Sequence, residues 1–211
     1  MGRRTVLPLE ARALGDAACV GPRIAGLNLL LRLGFPVSPG FCVFFPGQAK
    51  DLSLRGPSPR LHRAVAGAYR RLGGLVAVRS AALEDPGLFG LAGEEPVWRG
   101  VARCLALGGG AAPVFVQRLP DALASGVAYS ADPENGRAEM VIEATRGLGG
   151  LSGEEEGKDR FRLGKRPLLL LDSSLAVKTR ETRAGPMGLV RRPLPSPLRR
   201  APSLAENQVL A

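Results

Sequence analysis

The chain has 211 residues, enough for one large domain or two small lobes, and its 45% hydrophobic and 23% charged residues exclude wholesale disorder. A formal net charge of +10, carried mostly by arginine, fits an anionic partner such as nucleic acid, a membrane surface or a small anion, or else reflects overall composition alone. No stretch approaches the roughly 18 consecutive apolar residues of a membrane span. The basic start, Met1 to Arg4, is interrupted by Glu10 and Arg12 where a signal peptide needs an apolar run. Cys19, Cys42 and Cys104 are odd in number and in no metal spacing, so they read as small buried hydrophobes of a cytoplasmic protein.

In chain order, Pro22 to Leu33 predicts a helix with Ile24, Leu27 and Leu31 on one face, ended by Gly34. A stiff Phe35-to-Gly40 turn leads to a buried strand, Phe41 to Phe45, and Gly47 to Pro59 reads as loop. Leu61, Val65, Ala68 and Leu72 mark a second amphipathic helix closed by Gly73-Gly74. Strand Leu75 to Ser80 runs into a glycine-rich acidic loop, Glu84 to Glu95, then a helix from Val97 to Leu107 and a strand from Val114 to Leu119. Ser125 to Ser130 and Glu139 to Ala144 predict paired strands around an Asn135-Gly136 turn. A further pair, Arg160 to Leu163 and Leu168 to Leu171, follows the polar loop 154–159. From Lys178 onward arginines alternate with prolines, which predicts an extended basic connector without a core. The pattern is mixed α and β with hairpins, and it implies two lobes flanking a cleft.

Four segments in order, with Gly34-Phe35-Pro36-Val37-Ser38-Pro39-Gly40-Phe41, Val76-Ala77-Val78-Arg79-Ser80, Val116-Gln117-Arg118-Leu119 and Ile142-Glu143-Ala144 at their centres, resemble the N-terminal ATP-binding domain of the phosphoenolpyruvate synthase and pyruvate, phosphate dikinase family. Leu7-Pro8-Leu9, then Val20-Gly21-Pro22-Arg23 and Gly34-Phe35-Pro36-Val37-Ser38-Pro39-Gly40-Phe41, is similar to the family opening. Val76-Ala77-Val78-Arg79-Ser80 with Glu84-Asp85 resembles its Val-Arg-Ser-Ser-Ala element. Val116-Gln117-Arg118-Leu119 through Ser125-Gly126-Val127 and Asp132-Pro133 is similar to its hinge strand and hairpin. Ile142-Glu143-Ala144 with Gly147-Leu148-Gly149, then Asp159-Arg160-Phe161, completes the series, and Pro202 to Leu210 resembles the start of a later family helix.

The resemblance implies an α+β, two-lobed ATP-grasp-like nucleotide-binding domain, C-terminally truncated: lobes over 1–116 and 117–178, and a basic proline-rich connector over 179–211. It implies ATP, as Mg-ATP in the family, with Arg23, Arg79, Ser80, Gly90, Gly93, Gln117, Arg118, Leu119 and Glu143 in nucleotide-binding positions. Those residue types suit the task. Arg23 opens a helix, where free N–H groups already favour an anion. Arg79 ends a strand and can aim a planar cationic fork at phosphate oxygens. Gly90 and Gly93 let a loop approach phosphates, Gln117 to Leu119 offer backbone groups to adenine, and Glu143 offers a carboxylate to ribose hydroxyls or nearby cations.

The sequence also departs from the family pattern. The family lysine is Arg23, its second serine is Ala81, and its phosphate-loop glutamine is Glu94. A carboxylate about 5 Å from a phosphate charge is opposed by roughly 3 kcal/mol at an effective dielectric near 20. The family segments bearing the magnesium-holding Glu and Gln and the phosphohistidine have no counterpart in these 211 residues, so no metal ligand and no catalytic residue is assigned. Three readings therefore stay open: a nucleotide-binding module inactive alone, a phosphotransferase component completed by a separate chain, and a basic nucleic-acid-binding or scaffolding protein. The last lacks aromatic platforms or a recognised motif. His62, on the second helix, reads as a structural histidine.

Overall fold

The computed structural model describes residues 5–45, 58–81, 88–107, 112–148, 157–186 and 188–210. The chain divides into two compact units, Met1–Pro120 with Pro186–Gly188, and Asp121–Gly185 with Leu189–Ala211. It is mixed α and β with antiparallel sheets, and among the described residues no helix is long and apolar enough to cross a membrane.

The first unit is built on β1 (Val6–Pro8), β2 (Gly40–Val43), β3 (Val76–Ser80), β4 (Leu88–Leu91) and β5 (Val114–Arg118), in the order β1-β2-β5-β3-β4. Every pairing in it is antiparallel. Side chains alternate across the strands, so each strand feeds two cores. Phe41, Val43, Val76, Val78, Val114 and Val116 face one core, and Cys42 and Phe115 face the other.

Helices α1 (Ala17–Val20) and α2 (Pro22–Arg32) bring Val20 and Ile24 to the second of these cores. Buried Asn28 of α2 donates from Nδ2 to the carbonyls of Leu9 at 2.8 Å and Ala11 at 3.1 Å, which ties the helix to the segment after β1. Helices α3 (Pro59–Leu72) and α4 (Glu94–Leu107) cover the first core through Leu61, Val65, Tyr69 and Leu72, and through Val97, Val101 and Leu105. The α3 boundaries follow from its caps. The Ser58 hydroxyl accepts from the Leu61 N–H at 3.3 Å, Pro59 stands at the first helical position, and Gly73 at φ +65° ends the helix.

Most of the expected loop 47–59 lies outside the described residues. The expected acidic loop over Glu84 to Glu95 is partly a correction: 82–87 lie outside the described residues, but Leu88–Leu91 is a strand and α4 begins at Glu94. The tetrad Leu-Phe-Gly-Leu hid that strand. Leu88 and Leu91 both pack against the first core although they stand three residues apart, which simple alternation forbids. A one-residue bulge resolves this. Leu88 pairs with Val78 and Leu91 with Val76, so Phe89 and Gly90 together oppose Ala77. Gly90 takes φ +72°, a conformation that suits glycine at such a bulge.

The second unit holds an antiparallel meander, β6 (Ala124–Tyr129), β7 (Met140–Arg146), β8 (Asp159–Lys165) and β9 (Leu168–Ser174), in sequential order. The turn between β6 and β7 is held by Asp132, whose Oδ1 accepts the Glu134 N–H at 2.9 Å and whose Oδ2 accepts Asn135 Nδ2 at 3.1 Å. At Gly147 an added Cβ would lie 2.3 Å from the Thr182 carbonyl oxygen, so only a residue without one fits beside that strand.

The predicted coreless connector is a second correction. Strands β10 (Arg180–Gly185) and β11 (Gly188–Pro193) pair, and a short helix α5 (Glu206–Val209) follows. Val209 is buried with Ala144, Phe161 and Leu163, and Leu204 and Leu210 pack against the same cluster. The arginine and proline content masked these few apolar anchors. Beside Ser203, the residue before Leu204, is an ion pair with both side chains fully buried: Lys178 Nζ lies 2.5 Å from Asp159 Oδ1. Asp159 also accepts the N–H groups of Ala176 at 3.0 Å and Ser203 at 2.6 Å.

Candidate functional site

Two arginines converge in the first unit. An added Cβ on Gly21 would stand 3.4 Å from the Ala81 Cβ, so the N-terminus of α2 abuts the end of β3. Arg23 lies in the first turn of α2 and Arg79 near the end of β3, on the face opposite Val76 and Val78. Burial lowers the Arg79 pKa from its ordinary value, and repulsion from Arg23 lowers it further. Arg79 Nε is buried with no hydrogen-bond partner among the described residues. The guanidinium carbon stands 4.7 Å from the centroid of the Phe89 ring. Two like charges stand near one another with a buried unspent donor, beside the start of an eleven-residue helix, and such groups have the chemistry that suits an anion. Cations gathered in this way lower their mutual repulsion when an oxyanion enters.

The other predicted residues are distributed as follows. Ser80 alternates with Arg79 and is buried on the opposite face of β3. Gly90 is the bulge residue of β4, and the Gly93 N–H donates to the Tyr69 hydroxyl at 2.7 Å. Gln117 donates from Nε2 to the Ser38 carbonyl at 3.2 Å. The Arg118 N–H donates to the Pro39 carbonyl at 2.9 Å and its guanidinium to the Leu72 carbonyl, while the Leu119 N–H donates to Leu75 at 2.8 Å. The N–H groups of 118 and 119 are thus already engaged within the first unit. Glu143 belongs to the second unit, on β7, where its carboxylate stands 3.8 Å from Arg160.

Glu94, expected to oppose a phosphate, instead accepts from Arg70 through both oxygens, at 2.9 and 3.0 Å. The pairing offsets its charge within the protein. Cys42 and Cys104 are buried as expected, and burial pushes the Cys42 thiol up to about 12; Cys19, in contrast, is exposed, with its thiol donating to Asp16 at 3.1 Å. His62 packs edge-on against Trp98 with ring centroids 4.8 Å apart. Sequence reading missed Phe89 and the Asp159–Lys178 pair. The signal for Phe89 was present, since two leucines three apart around a glycine mark a bulge.

Phosphate oxygens suit this arrangement, because Arg79 has a buried donor to spend. Among the described residues no group of three or more His, Cys, Asp or Glu side chains could hold a metal ion, Glu95 stands 3.4 Å from Arg99, and Glu84 and Asp85 lie outside the described residues.

Comparison with known proteins places this geometry in a family context. Residues 110–211 match the family described as "Pyruvate phosphate dikinase, AMP/ATP-binding domain". The chain is 28% identical to the "Prodigiosin synthesizing transferase PigC" of Serratia marcescens over 90% of its own length and 27% of that protein. It is 26% identical to the "Phosphoenolpyruvate synthase" of Aeropyrum pernix over 84% of its own length and 31% of that protein. The chain therefore spans about a third or less of the length of the relatives it matches. The arginine pair precedes the matched residues, and the two relatives cover most of the chain. From residue 110 onward, the chain is similar to the pyruvate phosphate dikinase AMP/ATP-binding domain family.

Proposed function

We propose that this chain is an ATP-binding module of ATP-grasp-like type in which Arg23 and Arg79 hold the nucleotide phosphates. The observation that carries the reading is the buried, unpartnered Arg79 Nε beside a second arginine at a helix start. A structural role alone would leave that arrangement costly, because a buried donor without a partner costs about 1–3 kcal/mol. An anion recovers that cost and screens the two cations from one another. The family match at 110–211 supports a nucleotide as the source of the anion. The reading comprises binding through phosphates and includes no phosphoryl-transfer step.

Calorimetric titration with ATP and with adenosine tests it. Affinity that requires the phosphates, with ATP binding at least about tenfold tighter than adenosine, is the expected result; one charged hydrogen-bonded contact suffices for that ratio. Equal affinity for the two ligands would remove the arginine pair from the account.

A further inference from the structure

The bulge in β4 does more than seat two leucines. By adding one residue between Leu88 and Leu91 it places Phe89 away from the first core, on the side of β3 that carries Arg79. The ring then lies under the guanidinium, at 4.7 Å from its centroid to the Arg79 carbon. An aromatic face at this distance attracts a guanidinium, because the negative face of the ring quadrupole meets the cation, and a planar guanidinium can stack on it. A flat-lying guanidinium has its N–H donors in the plane parallel to the ring, so the ring chooses the plane in which those donors point. The long Arg79 side chain otherwise has several torsions to settle, and the repulsion from Arg23 would drive it away.

We propose that Phe89 is a positioning residue of the phosphate site, orienting the Arg79 guanidinium by stacking so that its donors are presented together with Arg23. The inference rests on the phosphate-binding reading above. It assigns Phe89 no contact with the nucleotide, and its effect therefore passes entirely through Arg79.

The test is a double-mutant cycle on the 211-residue chain, with ATP affinity measured by calorimetry and thermal melting measured on each variant. Phe89→Leu keeps apolar volume and removes the π face, and it is expected to weaken ATP about three- to tenfold, the range of such contacts. Phe89→Trp is expected to restore affinity to within about twofold of the parent, since indole is the better face. In the Arg79→Ala background, Phe89→Leu is expected to change ATP affinity less than about twofold, because nothing remains to be positioned. A merely structural Phe89 would weaken ATP equally in both backgrounds and in step with the melting temperature, and that result overturns the inference. So does Phe89→Leu binding ATP as the parent does. A parent chain that binds ATP no better than adenosine defeats the phosphate reading itself, and this inference with it.

Discussion

Replacing Lys178 by methionine is expected to cost about 3–5 kcal/mol of folding stability, the usual penalty for stranding one partner of a buried ion pair. Both side chains are fully buried and 2.5 Å apart, so solvent cannot take over the lost interaction. The pair also sits at a junction. Asp159 accepts from Ala176 and Ser203, and the Lys178 N–H donates to the Arg199 carbonyl at 2.8 Å, so one carboxylate anchors both the start of β8 and the C-terminal segment. Asp159→Asn should act in the same direction, and the double variant should lose less than the sum, because the two residues share one interaction. Urea unfolding of the three variants checks this; a midpoint within the parent's error for Lys178→Met would show that the pair contributes nothing.

The same carboxyl gives a pH dependence. Burial pushes Asp159 up, but hydrogen bonds from Lys178, Ser203 and Ala176 outweigh it, and its pKa lies below the ordinary value. A depressed carboxyl pKa stabilises the fold above the unfolded-state value, near about 4, and that stability is lost as pH falls through the folded value. The parent should therefore lose stability on acidification more steeply than Asp159→Asn does.

Replacing Arg79 by alanine is expected to weaken ATP by about 1.5–3 kcal/mol, roughly 10- to 150-fold, as for loss of a charged hydrogen-bonding partner. Arg23→Ala should weaken ATP in the same direction and by less, since its side chain is exposed and water screens its charge. Adenosine affinity should stay unchanged in both. Folding stability of Arg79→Ala should fall little or rise, because the substitution removes a buried unsatisfied Nε and the repulsion from Arg23. A loss of ATP affinity accompanied by an equal loss for adenosine would mean that Arg79 supports the fold and does not bind phosphate.

Much of this was legible in the sequence where periodicity and punctuation agree. Pro22 and Gly34 bracket α2 and Gly73 ends α3, and each predicted boundary falls within a few residues of the observed one, although Pro59, read as loop, is the first residue of α3. The paired strands around Asp132 were legible for the same reason. The misreadings share a different physics. β4 is only four residues long and carries a bulge, so its apolar residues follow neither a period of two nor one of 3.6. The C-terminal segment is basic and proline-rich on average, yet a handful of side chains, among them Leu194, Ser203 and Val209, are buried. Average composition cannot reveal sparse anchors. The partner that offsets the Glu94 charge, Arg70, lies 24 residues away on another helix, beyond the reach of any local pattern. Arg23 and Arg79 were visible as residue types, but their proximity depends on the contact between Gly21 and Ala81, which no local pattern encodes.

The most direct measurement is a crystal structure of this chain with ATP bound. The account predicts phosphate oxygens within hydrogen-bonding distance, about 3 Å, of the guanidinium groups of both Arg23 and Arg79, with Arg79 still lying over Phe89. ATP bound with its phosphates away from both arginines, leaving Arg79 Nε without a partner, would contradict it.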